Sequence, residues 1–316
     1  MSKQLLCVGD LVCDIVMPVT LPIGIGNHQN VPTRRIEPGG AGTFMFAACN
    51  MGLAVTAAGT VGDDALGTII IDSLDDYGID TSAIVVLPNT TSTLVTVLVD
   101  VDKHEHIYVG SYGEGPAIAY PEALENRLSG FDGAYFLGYT FAEERTAEMA
   151  MTTLKKVREA GIPIYFDVGP FLGMVPAERI KHILSKVDVV ITTEDEVPSA
   201  ANQMRGQPAY DYLLSLGPKL LVIKRGAEGC QLITEDLNQP YPGYQAVVVD
   251  TVGAGDCFGG AFVACHLNGM SLDDCAQVAN AMGTASVAKL GGGHNAPTLD
   301  EVQAVLANHH IDITLS

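Results

Sequence analysis

Residues 250–263 read Asp250-Thr251-Val252-Gly253-Ala254-Gly255-Asp256-Cys257-Phe258-Gly259-Gly260-Ala261-Phe262-Val263, and three patterns meet in and around this stretch. The apolar run at 246–249 predicts a strand. Gly253, Ala254 and Gly255 carry little or no side chain, so backbone N–H groups can come close to a ligand. Phe258, Ala261, Phe262, Ala264 and Leu267 then follow a helical period. A small-residue turn that opens a helix offers unpaired N–H groups and the positive end of the helix dipole, which suits an anion. Asp256 sits inside that turn, where an anion would repel it. Two roles account for it: a helix cap, or a base taking the proton of an alcohol that attacks a phosphate.

Outward from this turn, the chain alternates strands and helices. A short apolar run at 4–8 predicts a first strand, with Asp10 and Asp14 beyond its end. The Gly24-Ile25-Gly26 stretch lacks a strand-to-helix setting and reads as a turn. A second glycine-rich turn, Gly39-Gly40-Ala41-Gly42, opens a helix with Phe44, Ala47, Ala48 and Met51 on one face. A buried strand at 54–59 and a helix running to Tyr77 follow. Between 91 and 110 two β-branched runs flank a polar turn, which predicts a hairpin on a separate small sheet. His104 and His106 in this hairpin read as solvated residues, since a metal needs further ligands.

Later elements are expected as a helix at 121–128, a strand at 133–137, a helix at 142–160 and a strand at 162–167. A helix at 176–186, strands at 187–192, 220–224, 230–233 and 247–249, and closing helices at 272–290 and 299–308 complete the pattern. Such alternation implies an α/β fold, with a mostly parallel sheet covered on both faces. Ligands then bind at the carboxyl ends of strands. Asp14, Asp167, Lys224 and Asp250 fall at predicted strand ends. No linker or repeat divides residues 1–316, so one domain is expected.

Bulk composition narrows the function. A net charge of −20 argues against nucleic acid or an anionic membrane as partner. Local N–H groups and a metal can still bind a small anion such as ATP. Seven scattered cysteines without CxxC pairs suit a reducing compartment. With no run of transmembrane length and no signal-type start, a soluble cytoplasmic protein is expected.

Taken together and in this order, the two glycine turns resemble the paired signatures of the ribokinase-like (PfkB family) carbohydrate kinases. Gly62-Asp63-Asp64, the hairpin near residue 100, the Lys224–Gly229 stretch and Gly291-Gly292-Gly293 add to the resemblance. It implies a ribokinase-like fold with a small β-sheet lid, built from segments near 13–37 and 91–110. It implies an ATP-dependent kinase acting on a hydroxyl of a sugar, with Asp256 as general base and Gly253, Ala254 and Gly255 as the anion hole. Asp14, Gly39 and Gly40, with Thr43 and Phe44, match the sugar-holding positions. Thr193, Lys224, Gly226, Gly229 and Asn280 match the nucleotide pocket, and Glu196 the acid that holds Mg²⁺ through water. Asp250 and the loop at 291–293 resemble a site for a monovalent cation such as K⁺. An uncovered edge of the lid sheet suggests a homodimer.

Departures from the family pattern bear on the acceptor. Thr43-Phe44 stands where an Asn is common, and Thr193 replaces the Asn of Asn-x-x-Glu. The common Asp-x-Asn-x-Arg reads Asp167-Val168-Gly169-Pro170-Phe171, without its Asn and Arg. A neutral sugar or polyol is therefore expected as acceptor. The alternatives are a nucleoside kinase, with Phe44 stacking on a base, and a non-catalytic ligand-sensing protein of the same fold.

Overall fold

The structure, a computed structural model, describes residues 2–9, 11–103 and 106–315, so Asp10, His104 and Glu105 lie outside the described residues. In chain order its first elements are β1 (Gln4–Val8), β2 (Leu11–Val19), β3 (Arg35–Gly40), α1 (Ala41–Asn50), β4 (Ala54–Gly62), α2 (Ala65–Asp76), β5 (Asp80–Leu87), β6 (Thr93–Asp100) and β7 (His106–Ser111). Then come β8 (Gly133–Leu137), α3 (Tyr139–Ala142), α4 (Glu144–Glu159), β9 (Ile164–Asp167), α5 (Ala177–Leu184), β10 (Val189–Thr193), α6 (Val197–Ala200) and α7 (Gly206–Leu216). The chain closes with β11 (Leu220–Lys224), β12 (Cys230–Ile233), β13 (Asn238–Tyr241), α8 (Ala254–Leu267), α9 (Leu272–Ser286) and α10 (Leu299–Asn308).

The large sheet runs β13-β12-β11-β10-β9-β8-β1-β4-β5 and is parallel except at β11-β12-β13. From β1 the chain goes to β4 on one side and later to β8 on the other, which makes the end of β1 a switch point where α/β sheets bind ligands. Both sheet faces are buried, as a parallel sheet requires. Leu5 and Cys7 of β1 pack in the core that also holds residues of α1, α8 and α9. Leu6 and Val8 pack in the core with residues of α4, α5 and α7. Helices α1 and α8 touch closely because Gly260 has no side chain: a Cβ there would stand 2.8 Å from that of Ala47.

The small sheet runs β3-β2-β6-β7 and contains the expected hairpin, with β2 and β6 parallel and the other two pairs antiparallel. Several expectations are corrected. The apolar run at 246–249 forms no strand: Val247 is 84% exposed, and the Val249 N–H donates to the Val287 carbonyl beyond α9. Pattern alone could not see that this run serves as a wall, not a ladder. Asp250 consequently sits in irregular backbone, and Asp14 lies within β2, so neither is at a strand end. The expected helix at 121–128 is two 3₁₀ turns, Glu122–Leu124 and Leu128–Gly130. The helix at 142–160 breaks at Glu143 into α3 and α4, and the helix from 272 ends at Ser286. β5 and β13 were not anticipated.

Candidate active site

Helix α8 begins at the small-residue turn Gly253-Ala254-Gly255. Gly253 is its N-cap at φ 74, a left-handed conformation for which glycine is suited. The turn is also crowded, since a Cβ on Gly253 would lie 2.9 Å from Thr43 Cγ2. The first amides of a helix lack intrahelical partners; here Gly255 and Asp256 supply them, together with Ala254, whose N–H also donates to the Thr251 carbonyl at 3.3 Å.

Asp256 is half-buried in the first turn of α8. Burial pushes its carboxyl up to about 7; the Lys224 charge works against this, while Asp167 and Glu196 reinforce it. Lys224, at the end of β11, donates to Asp167 Oδ2 at 2.9 Å. Burial opposes the Lys224 charge, but Asp167, Glu196 and Asp256 together hold the ammonium above its ordinary value. Glu196 caps its own turn, its Oε2 accepting from the Thr193 N–H at 2.8 Å. Four charged groups from four segments thus converge at the carboxyl end of the large sheet.

Beside them lies a cavity of about 660 Å³, lined by Thr193, Lys224, Gly226, Gly229, Gly255 and Asn280 among others, and by Ala246 and Val248 of the misread run. Asn280 is buried and donates to the carbonyls of Tyr241 and Pro242, which fixes one wall. All five residues matched to a nucleotide pocket therefore face one cavity.

On the acceptor side the picture is mixed. The Asp14 carboxylate lies directly over Gly39, so close that a Cβ on Gly39 would stand 2.0 Å from its Oδ2. Gly40, the N-cap of α1, has φ 51 and completes this turn. Thr43 and Phe44 depart from expectation. Thr43 is buried and its Oγ1 accepts from the Gly293 N–H at 3.0 Å. Phe44 is fully buried, stacked on Tyr135 with ring centroids 3.5 Å apart. All of α1 from Ala41 to Ala48 is buried: Thr43 packs against the turns at Gly253 and Gly292-Gly293 and Phe44 against Tyr135, so Phe44 presents no face to a base. Asp250 is buried, its oxygens accepting from the Val252 N–H at 3.0 Å and the Gly291 N–H at 2.7 Å.

Several site residues were missed in the sequence. Tyr135 is buried and donates to Asp167 Oδ2 at 3.3 Å. Tyr139, its hydroxyl raised by burial and then by the Asp256 charge, has its ring beside Gly169, close to Asp167, while Tyr108 on β7 is 55% exposed. Tyr139 meets Phe171 edge-on at 5.1 Å, and Phe171 meets Tyr112 at 6.5 Å. For Asp167 the signal was its place at a predicted strand end. For the aromatic residues no spacing rule joins positions 108, 112, 139 and 171.

A family model described as pfkB family carbohydrate kinase matches residues 2–299. The chain belongs to that family. It is therefore an ATP-dependent carbohydrate kinase by class. The kinase is 26% identical over 307 residues to the ATP-dependent ribose-1-phosphate kinase of Halopiger xanaduensis, covering 96% of this chain and 98% of that one. It is 26% identical to the ribokinase of Staphylococcus aureus, covering 82% and 84% of the two chains. Among solved structures, the fold is shared with fructokinase with bound ATP from Xylella fastidiosa (TM-score 0.83, 21% identity, 98% and 100% covered). It is shared too with Arabidopsis thaliana ribokinase complexed with ribose and ATP (TM-score 0.80, 21% identity, 97% and 99% covered). Among the described residues, no helix is long and apolar enough to cross a membrane.

Proposed function

We propose that this kinase transfers the γ-phosphate of ATP to a hydroxyl of a neutral sugar or polyol, with Asp256 as general base. The observation that carries this reading is Asp256 in the first turn of α8, its carboxyl raised to about 7 beside Lys224. A base works best when its pKa is near the working pH. The acceptor O–H gives its proton to Asp256 as its oxygen forms the new P–O bond. The bond to the β-phosphate oxygen breaks, and ADP leaves with that electron pair. Amides of Gly253, Ala254 and Gly255 stabilise the charge on the moving group. Asp14 accepts from acceptor hydroxyls over Gly39 and Gly40, and the cavity lined by Thr193, Gly226, Gly229 and Asn280 takes the nucleotide. The small sheet serves as a lid that excludes water, and the chain works as one unit. Its outer strand β7 exposes Ile107 and Val109, the edge through which we expect a second copy to pair.

Mg²⁺ needs only one or two carboxylates besides phosphate oxygens and water. Glu196, anchored through Oε2 and close enough to influence Asp256, fits that sparse donor set. When bound, the ion neutralises charge on the phosphates. Asp250, buried among backbone amides beside the 291–293 loop, fits a K⁺ ion that balances its charge.

A neutral acceptor is favoured because Lys224 faces the nucleotide cavity and Arg35 is paired with Glu37. Phe171 adds no charge where an arginine is common. Burying an anionic acceptor without a paired cation would cost several kcal/mol. The Halopiger relative carries a sugar phosphate in its name, so a sugar phosphate is the acceptor that most directly challenges this reading. A second reading, a nucleoside acceptor, is supported by the Tyr139–Phe171–Tyr112 ring cluster, which offers faces for a base.

The test is ADP release with a neutral hexose, a pentose, a nucleoside, a sugar acid and a sugar phosphate at equal concentration. The neutral sugars should give the highest kcat/KM. A leading nucleoside selects the second reading; a leading sugar acid or sugar phosphate overturns the neutral acceptor.

A further inference from the structure

We propose that Lys224 is a catalytic cation that donates to the phosphoryl group in transit, and that Asp167 and Tyr135 are the positioning residues that aim it. This rests on the kinase reading above and adds a role beyond lining the nucleotide cavity. Three observations carry it. The Lys224 ammonium stands over the turn that opens α8: a Cβ on Gly255 would lie 3.4 Å from Nζ. It borders the nucleotide cavity as well as the neighbouring one at Glu194 and Arg225. It is held from behind, with Nζ 2.9 Å from Asp167 Oδ2, and that same oxygen accepts from the Tyr135 hydroxyl at 3.3 Å.

Each link limits the next. Tyr135 is clamped by its stack on Phe44, so its hydroxyl has one direction to point. Asp167 is buried, and its Oδ2 is fixed by two donors. An ammonium has three N–H donors. One is committed to Asp167, which leaves two for the cavity side. The charge balance calls for such a group. Asp167, Glu196 and Asp256 gather three carboxylates where the triphosphate must enter, and Lys224 is the cation, among the described residues, whose charge bears on Asp256. A pre-aimed cation in a site closed to water stabilises developing charge without reorganising. Lys224 keeps its proton throughout: the acceptor proton goes to Asp256, and no electron pair moves on nitrogen.

The experiment compares the full chain with Lys224→Met, Lys224→Arg and Asp167→Asn. It measures kcat and KM, together with ATP and AMP affinity by calorimetry. For Lys224→Met, kcat should fall about 100-fold or more, as for loss of a donor to transition-state charge. ATP affinity should fall about tenfold while AMP affinity and the acceptor KM hold within about threefold, because AMP lacks the group that Lys224 touches. Lys224→Arg should recover about tenfold of the lost kcat, since charge is restored at altered geometry. Asp167→Asn keeps an acceptor but loosens the aim, and should cost about tenfold in kcat with a smaller change in ATP affinity. A Lys224→Met enzyme with kcat within threefold of wild type overturns the proposal. So does an equal loss of ATP and AMP affinity, the mark of a structural role. If Lys224→Met fails to fold, the double variant with Asp167→Asn leaves no lone buried carboxylate and is read by the same criteria. If wild type phosphorylates no acceptor in the panel, the acceptor reading fails by itself. The ATP-against-AMP comparison then still decides Lys224: a loss confined to ATP supports it, and an equal loss overturns it.

Discussion

The turn at Gly39-Gly40 and the turn at Gly253–Gly255 share a local recipe: a glycine at positive φ caps a helix rich in small and apolar residues. The two helices, α1 and α8, even pack against each other through Gly260 and Ala47. Their contents differ. α1 has no acidic residue in its first turn; its Thr43 is buried against the Gly253 and Gly293 turns and its Phe44 in the core. α8 carries Asp256 in its first turn, under the Lys224 ammonium. In the first case an acid from another strand, Asp14, is laid over the glycine; in the second the acid belongs to the helix itself. A small-residue turn therefore marks where a backbone can meet a ligand, and what packs above it decides whether it holds or reacts.

The largest expected effect removes the difference directly. Asp256→Asn should lower kcat by about two decades or more, as for loss of a general base, while ATP and acceptor still bind. The same change should stabilise the protein. The Asp256 carboxyl moves from 3.8 to about 7 on folding, so the folded state holds an extra proton between those values. Stability is thus lost as pH rises through that window, and the loss is complete above about 7. At pH 8 the asparagine variant should gain about 1–3 kcal/mol in denaturant unfolding, a gain that shrinks toward pH 4. In wild type, kcat/KM for the acceptor should rise with pH and level off above about 7. A flat profile between pH 5 and 8, or an Asn variant near wild-type kcat, would remove the base from α8 and make the two turns equivalent.

The next effect sharpens the holding role of the first turn. Asp14→Ala should raise the acceptor KM about tenfold and leave the ATP KM within about twofold. Gly39→Ala should do much the same from the other side, because its methyl would take the space that the Asp14 carboxylate occupies. If Gly39→Ala instead raised the ATP KM alone, the acceptor would lie elsewhere.

How much of this was legible in the sequence differs between the two turns for a physical reason. The α8 turn declared itself because all its parts are consecutive: small residues, an acid and a helical period. The strands of the large sheet were legible where their apolar runs are buried on both faces, as at Leu220–Lys224. The run at 246–249 misled because a β-branched wall of a cavity has the composition of a strand. Phe44 misled because its position in the motif was visible, but its partner Tyr135 comes from β8, far along the chain. The Lys224–Asp167–Tyr135 chain joins three parallel strands, and nothing local sets which strands become neighbours.

The smallest effect tests that correction. Phe44 lies at the start of α1, where an exposed ring would reach the acceptor, yet it is fully buried against Tyr135 at an interplanar angle of 7°. If its work is packing, Phe44→Leu costs the stack and some volume, about 1 kcal/mol of stability. Tyr135 loses its clamp, so kcat should fall a few-fold through Asp167 and Lys224, equally for every acceptor. The ratio of kcat/KM between a nucleoside and a pentose should then stay within about twofold of wild type, since a group that touches no acceptor cannot discriminate between acceptors. Phe171→Ala is the matched control, because Phe171 is partly exposed and meets Tyr139 and Tyr112. If the nucleoside ratio changes more with Phe44→Leu than with Phe171→Ala, the first turn reads the acceptor through its own helix, and the division of labour between the two turns fails.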